Sequence, residues 1–168
     1  VSVSFVAVEL GRKIFGSLKD RVVLLIGAGE MAELAVLHLV ESGVSGVLVA
    51  NRTHERAEAF AGKHGARAVE FEDLVSHLVE PDIVICSTAA PDYVLSAANV
   101  RTAQDRRRNR PLCLIDISVP RQIDPAAAEL DGPAPQEVAP PNRPQAALEP
   151  GAVIGGQDEL PLASGTAA

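Results

Sequence analysis

An unbroken apolar run that leads directly into two closely spaced glycines most constrains the fold of this chain. Residues 22–26 are all apolar, three of them β-branched, and Gly-Ala-Gly-Glu-Met-Ala follows at 27–32. This spacing provides a tight turn at Gly27, room for a phosphate against the main chain at Gly29, and close helix packing at Ala32. The sequence therefore predicts a strand, a turn and a helix whose N-terminus holds a pyrophosphate. The alternative is that the glycines only shape the turn.

The end of the next apolar run indicates which dinucleotide fits. Residues 47–50 are apolar and are followed by Asn51, Arg52 and Thr53. An acidic residue at this point would bind the ribose 2′-hydroxyl of NAD, whereas the Arg52 guanidinium suits a 2′-phosphate. We therefore expect NADP(H). In the alternative interpretation, Arg52 is solvated and Asn51 and Thr53 only turn the chain; Thr53 is also expected to cap a helix over 54–63.

Composition and charge restrict the class of protein. The 168 residues suffice for one domain, and the core must be aliphatic because only 3% of residues are aromatic. A net charge of −7 argues against a general nucleic-acid binder. Cys86 and Cys113 lie in separate apolar runs without a metal-ligand pattern, and no signal peptide or membrane-length run is present, so we expect a cytoplasmic protein with reduced thiols. A start at Val1 is expected of an excised fragment or a processed chain.

Strand-like and helix-like segments alternate along most of the chain. Such alternation predicts an α/β fold, a doubly wound parallel sheet of Rossmann type with strand order 3-2-1-4-5 and a further strand absent or supplied elsewhere. The division that we expect is a leading helix or linker over 1–19, a Rossmann domain over 20–132 and a proline-rich, largely disordered tail over 133–168. The remaining predicted elements are a helix over 4–18, strands over 67–71, 82–87 and 112–117, and helices over 72–79 and 96–107.

Small and hydroxyl side chains follow the fourth and fifth predicted strands. Ligands of a doubly wound sheet bind at the carboxyl ends of the strands, near the point where strand order reverses. The segments 86–91 and 116–121 are therefore expected to face the nicotinamide half of the cofactor. Purely structural turns are the alternative for each segment.

Several blocks in order resemble the NADPH-binding domain of glutamyl-tRNA reductase. The blocks are Ser-Val-Ser at 2–4, Ala-Val-Glu-Leu at 7–10, Gly-Ala-Gly-Glu-Met at 27–31, Asn-Arg-Thr at 51–53, Ser-Thr-Ala-Ala-Pro at 87–91 and Asp-Ile-Ser-Val-Pro-Arg-Gln-Ile-Asp-Pro at 116–125. The resemblance implies reduction of glutamyl-tRNA to glutamate-1-semialdehyde, an early step toward tetrapyrroles. It implies that a cysteine in an N-terminal domain forms a thioester and that NADPH delivers the hydride.

The motif and the resemblance together define the expected site, with NADP(H) as cofactor and neither a catalytic residue nor a metal site in this chain. The expected cofactor-binding residues are Gly27, Ala28, Gly29, Glu30, Met31, Ala32, Asn51, Arg52, Thr53, Ser87, Thr88, Ala89, Ala90, Ile117, Val119 and Pro120. The family's Ser-Thr-Cys-Asn-Arg-type block and its dimerisation helix have no counterpart here. We therefore expect glutamyl-tRNA to bind through domains missing from this chain, and a homodimer only where the C-terminal helical domain is present. Glutamate-1-semialdehyde aminotransferase is a candidate partner, and no membrane is expected.

Two other functions remain open, and three groups of residues are discounted. The alternatives are a shikimate-dehydrogenase-like NADP oxidoreductase and a stand-alone, non-catalytic NADP(H)-binding module. Cys86 is expected to be an inert strand thiol. The histidines share no metal-binding spacing, and the arginines are expected to form a solvated helix end rather than a tRNA contact. These residues are His38, His54, His64 and His77, and Arg106, Arg107, Arg108 and Arg110.

Overall fold

A single parallel sheet organises the part of the chain that the computed structural model describes, which is residues 2–108, 110–129 and 153–154. Its strands are β1 (Val22–Ile26), β2 (Gly46–Ala50), β3 (Arg67–Ala68), β4 (Ile83–Cys86), β5 (Cys113–Asp116) and β6 (Val153–Ile154). The spatial order is β3-β2-β1-β4-β5-β6, and every neighbouring pair is parallel. The predicted α/β fold with order 3-2-1-4-5 is confirmed.

Helices cover both faces of this sheet. They are α1 (Val3–Phe15), α2 (Glu30–Glu41), α3 (His54–His64) and α4 (Ala97–Arg106), with 3₁₀ turns at Phe71–Asp73, Ser76–Leu78 and Pro125–Glu129. Successive strand residues point to opposite faces, so the sheet has two separate cores. One core packs β-strand side chains against α1, α2 and α3; the other packs them against α4 and the 3₁₀ turns. Among the helices described, none has the length and apolar character that crossing a bilayer requires.

Helix α1 is packed into the same core as the strands. Ala7 and Val8 are buried, and a Cβ on Gly11 would come within 2.8 Å of the Ile83 Cδ1 atom. The buried Ser4 hydroxyl donates to the Met31 carbonyl oxygen at 2.8 Å, where α2 begins. The segment expected as a leading helix or linker therefore helps to hold the start of α2.

The segment after α3 differs from its prediction in two details. The strand expected over 67–71 ends at Ala68, and the helix expected over 72–79 is replaced by two 3₁₀ turns. The i→i+3 bonds Asp73 N–H to the Glu70 carbonyl and Leu78 N–H to the Val75 carbonyl close these turns. Eight residues followed by a proline offer too few hydrogen bonds to offset helix nucleation.

The N-cap of α3 also differs from its prediction. Thr53 occupies the N-cap position, but in the described part of the chain its hydroxyl accepts no capping hydrogen bond. The main-chain carbonyl of Thr53 instead accepts from the side-chain amide of Asn51 at 3.1 Å. The turn before α3 is therefore fixed by Asn51 rather than by the Thr53 hydroxyl.

A sixth strand comes from the segment that the sequence predicts to be largely disordered. Val153 and Ile154 pair in register with Leu114 and Ile115, on the outer side of β5. The exposed main-chain groups of β5 offer a strand partner that apolar periodicity cannot reveal. A largely disordered tail remains the prediction for the segment as a whole. The other residues of 133–168 lie outside the described part of the chain.

The expected solvated arginine cluster is partly buried. Arg107 is 5% exposed, and its guanidinium donates to five carbonyl oxygens, those of Leu78, Val79, Pro81, Arg110 and Pro111. Burial lowers the pKa of Arg107 to about 10, which leaves it charged near neutral pH. Arg110 donates to the carbonyls of Val79 and Glu80. The carbonyls of residues 78–81 sit at the connection into β4, and those of Arg110 and Pro111 sit at the connection into β5. The cluster therefore holds both connections, and the prediction of a solvated helix end is wrong for Arg107.

Replacing Arg107 should destabilise the fold. We expect Arg107→Met to lower the free energy of unfolding by about 2–4 kcal/mol, because several buried carbonyls lose a charged donor. Arg101→Met is the matched control, since Arg101 is an exposed residue of α4. Urea denaturation followed by circular dichroism measures both variants. Equal unfolding free energies for the two variants would contradict a structural role for Arg107.

Candidate functional site

A cleft of about 550 Å³ lies at the carboxyl ends of the central strands. Its lining comes from the β1–α2 turn, the end of β2, the first turn of α3 and the loops after β4 and β5. The lining residues are Gly27, Ala28, Gly29, Glu30, Met31, Asn51, Arg56, Ser87, Thr88, Ala89, Ile117, Ser118 and Val119. This edge of a doubly wound sheet is where ligands bind, between strands β1 and β4 where the strand order reverses.

Gly27 permits the close approach of three strand ends. Its φ angle is +114°, and a Cβ on it would overlap the carbonyl oxygen of Ser87 after β4. Its N–H donates to the Ala50 carbonyl oxygen at the end of β2, at 2.8 Å. Only glycine, which lacks a Cβ, can adopt this positive φ and also make the close contact with the end of β4.

Gly29 is needed for a different reason. It is the N-cap of α2, and no side chain in the described residues caps this helix end. A Cβ on Gly29 would meet no heavy atom within 4 Å, so packing within the chain does not explain why the residue is small. Uncapped N–H groups beside open space form a cradle for an anionic group. A pyrophosphate therefore fits the residues present.

The β2 side of the cleft contains an arginine that the sequence analysis missed. Asn51 lines the cleft as expected, but the Arg52 guanidinium lies over the Phe71 ring, 4.9 Å from its centroid. Arg56, on the first turn of α3, lines the cleft instead. The signal for it was present, because Arg56 falls in the first turn of the helix predicted over 54–63, directly after the end of β2.

Five of the expected residues lie outside the cleft lining. Ala32 is 1% exposed and packs in the core, and Ala90 is 9% exposed with its carbonyl bonded to the Gln122 side chain. Arg52, Thr53 and Pro120 are exposed and do not line the cleft. The other eleven expected residues line it. Ser118 also lines the cleft. It lies in the segment 116–121 that was expected to face the nicotinamide half, but it was not among the expected cofactor-binding residues.

Cys86 lies next to the cleft but is not part of its surface. It is completely buried at the end of β4, and burial raises the pKa of its thiol, helped by the nearby Asp116 carboxylate. Burial likewise raises the pKa of Cys113 to about 12. Both thiols therefore remain protonated near neutral pH. In the described residues, no three His, Cys, Asp or Glu side chains are placed to bind one metal ion.

Comparison with known proteins agrees with the geometry of this cleft. The family model described as shikimate / quinate 5-dehydrogenase matches residues 9–138. The chain belongs to this family. It is therefore a Rossmann-type dehydrogenase domain, the class that binds a nicotinamide dinucleotide.

The sequence relatives and solved structures are more specific. Glutamyl-tRNA reductases from Trichlorobacter lovleyi and Solidesulfovibrio magneticus are 54% and 55% identical over 131 residues, which is 78% of this chain. The chain spans about 30% of the length of these relatives. The glutamyl-tRNA reductase of Methanopyrus kandleri superposes with a TM-score of 0.77 at 36% identity, covering 98% of this chain and 37% of that one. The resemblance stated from the motifs is confirmed.

A nucleotide-binding domain alone gives a similar match of fold. That domain, of the glutamyl-tRNA reductase from Thermoplasma volcanium, superposes with a TM-score of 0.60 at 20% identity, covering 98% of this chain and 92% of that one. The shikimate dehydrogenase of Aquifex aeolicus gives a TM-score of 0.55 at 18% identity. Both comparisons show the fold.

The buried thiols should resist modification in the folded protein. We expect Cys86 and Cys113 to react with an aromatic disulfide reagent at pH about 8 only after urea is added, because neither thiol is exposed or ionised. Absorbance of the released thiolate counts the reactive thiols in each condition, and Cys86→Ala and Cys113→Ala assign them. Rapid reaction of Cys86 without denaturant would contradict its burial.

Proposed function

We propose that this chain is the NADP(H)-binding domain of a glutamyl-tRNA reductase. The observation that carries the proposal is the open cradle at Gly29, at the uncapped N-terminus of α2, in a cleft that extends to an arginine on one side and to the β4 and β5 loops on the other. A dinucleotide has the same three parts: a pyrophosphate, an adenosine half and a nicotinamide half. The identity of about 54% to glutamyl-tRNA reductases supports the choice of enzyme.

Each part of the dinucleotide has its own group of residues in this proposal. The pyrophosphate lies on the glycine loop, the adenosine half lies at the end of β2, and the nicotinamide half lies against the loops after β4 and β5. The respective residues are Gly27, Ala28, Gly29, Glu30, Met31 and Ala32; Asn51, Arg52, Thr53 and Arg56; and Ser87, Thr88, Ala89, Ala90, Ile117, Ser118, Val119 and Pro120.

Two arginines support NADP(H) over NAD(H). Arg56 lines the cleft beside Asn51, and Arg52, in the turn before α3, lies over Phe71. A planar guanidinium binds phosphate oxygens in a bidentate manner, so the pair can hold a 2′-phosphate from two directions. No carboxylate occupies the position after β2 that would favour a free 2′-hydroxyl.

The bound cofactor supplies a hydride, and this chain's residues hold and orient the cofactor. At the nicotinamide end the described lining residues are small, hydroxyl-bearing or apolar, so the acyl group to be reduced and any acid or base must come from elsewhere. In the proposed enzyme these come from a domain that binds glutamyl-tRNA. The same proposal includes three further features of the whole enzyme. They are a partner aminotransferase that consumes the semialdehyde, a dimer formed through a helical domain, and a cytoplasmic location.

The second candidate is a shikimate-dehydrogenase-like oxidoreductase, which the matching family model favours. That enzyme oxidises a ring hydroxyl and needs no acylated tRNA. Incubation of the chain with shikimate and NADP⁺, followed at the absorbance of reduced nicotinamide, separates the two. Production of NADPH would favour this candidate over the first. A third candidate, a non-catalytic NADP(H)-binding module, would show cofactor binding with no turnover in any assembly.

Cofactor preference should depend on the two arginines. A charge-assisted contact with the 2′-phosphate is worth about 1.5–3 kcal/mol, so we expect NADPH to bind roughly tenfold to a hundredfold more tightly than NADH. Arg52→Ala and Arg56→Ala should each reduce this ratio, and the double variant should remove it. Calorimetric titration with both cofactors measures the ratio, with Arg101→Ala as control. Equal affinities in the unmodified chain would refute the NADP(H) assignment.

The cradle at Gly29 should be indispensable for binding but not for folding. Gly29→Val fills the space that the pyrophosphate needs, so NADPH binding should be abolished. Since a Cβ there meets open space, the melting temperature should change by no more than a few degrees. Calorimetry and thermal denaturation of the same sample test both expectations. Normal NADPH affinity in this variant would mean that the pyrophosphate binds elsewhere.

The isolated chain should not reduce glutamyl-tRNA. Positioning of the acyl group beside the nicotinamide would be missing, and with it the large rate gain from proximity. We therefore expect no semialdehyde from charged tRNA and NADPH above the level of a protein-free control. Robust turnover that is lost in Cys86→Ala would show that Cys86 is a nucleophile. It would overturn both the expectation of no turnover and the expectation that Cys86 is an inert strand thiol.

A further inference from the structure

The carboxylate of Asp116, at the end of β5, is completely buried and accepts three main-chain hydrogen bonds from the loop that follows. Its Oδ1 atom accepts from the Ser118 N–H at 3.0 Å. Its Oδ2 atom accepts from the N–H groups of Gln122 at 2.7 Å and Ile123 at 2.8 Å. Because the donors lie at both ends of the segment 118–123, one carboxylate fixes the path of the whole loop.

This loop is bonded in turn to the loop after β4. The Ser118 hydroxyl accepts from the Thr88 N–H at 3.1 Å and donates to the Cys86 carbonyl oxygen at 3.2 Å. The Gln122 side-chain amide donates to the Ala90 carbonyl oxygen at 2.9 Å. The two loops therefore form a single wall of the cleft, whose position depends on the carboxylate behind it.

The wall can contact a ligand only through uncharged groups. Of the described residues, those that line the cleft from these two loops are Ser87, Thr88, Ala89, Ile117, Ser118 and Val119, and none of them is ionisable. Uncharged contacts depend steeply on distance, because dispersion and neutral hydrogen bonds weaken within an ångström of displacement. The exact place of Ile117 to Val119 therefore decides how well this end of the cleft binds.

We propose that Asp116 is the positioning residue for the nicotinamide half of the dinucleotide. It does not line the cleft, and it acts by setting where Ile117, Ser118 and Val119 stand. The inference rests on the proposed function, since it needs NADP(H) in this cleft. It predicts that loss of the carboxylate weakens binding at one end of the cofactor and leaves the other end unaffected.

A comparison of two ligands tests this prediction. Asp116→Asn places an amide N–H₂ against main-chain donors, so the loop should shift. We expect its affinity for NADPH to fall roughly tenfold, while its affinity for adenosine 2′,5′-bisphosphate, which lacks the nicotinamide half, stays within about twofold. The change in emission of the reduced nicotinamide on binding should also be lost. Asp124→Asn is the matched control, because the Asp124 carboxylate accepts one N–H, from Ala126, and lies outside the cleft lining.

The outcomes separate this inference from the proposal on which it rests. Unchanged NADPH binding by Asp116→Asn, or equal losses for both ligands, would overturn the inference alone. Failure of both ligands to bind the unmodified chain would overturn the proposed function and the inference with it. If Asp116→Asn does not fold, Gln122→Met takes its place, because it removes the side-chain bond from the loop to Ala90 at a residue that does not line the cleft. This variant should show the same selective loss of affinity for NADPH. An NADPH affinity equal to that of the unmodified chain would refute the inference.

Discussion

The contact between the β1–α2 turn and the end of β4 is the constraint on which the cleft depends. At Gly27 the chain leaves β1 with a positive φ and passes so close to the Ser87 carbonyl that a Cβ would overlap it. The same residue donates to Ala50 at the end of β2. Three strand ends thus meet at one glycine, and α2 begins immediately beside them. The segments that line the cleft follow the strands that meet here or, in the case of β5, a strand paired with β4.

The parts of the fold that the sequence predicted are those with a local physical cause. Continuous apolar strands between helix-like segments require a parallel sheet with both faces covered, and the order around β1 follows from the glycine turn. The motif and the resemblance together included eleven of the thirteen residues that line the cleft. Boundaries after β2 were less predictable, because the main-chain bonds of the short 3₁₀ turns leave no periodic pattern in the sequence.

The parts that the sequence did not predict depend on contacts between distant segments. Arg107 looks like part of an exposed basic helix end, and only the approach of the β4 connection surrounds it with carbonyls. Arg52 follows β2, where a residue that binds the 2′-phosphate is expected, yet its guanidinium lies over the Phe71 ring. The sixth strand is formed by a dipeptide whose partner, β5, is separated from it by dozens of residues. In each case the side chain's surroundings are set by tertiary packing.

The two ends of the cleft use different physical means, and this difference bears on the proposed function. At the end near β2, the proposal relies on long charged side chains that can adjust to a phosphate: Arg56 lines the cleft, and Arg52 lies over Phe71. At the other end, a buried carboxylate and a shared serine hold two main-chain loops that carry no charge of their own. In the proposed function, adjustable charge would secure the part of the cofactor that does not react. Fixed, uncharged contacts would hold the nicotinamide ring, whose orientation decides where a hydride goes, and would leave its open face to the group that is reduced.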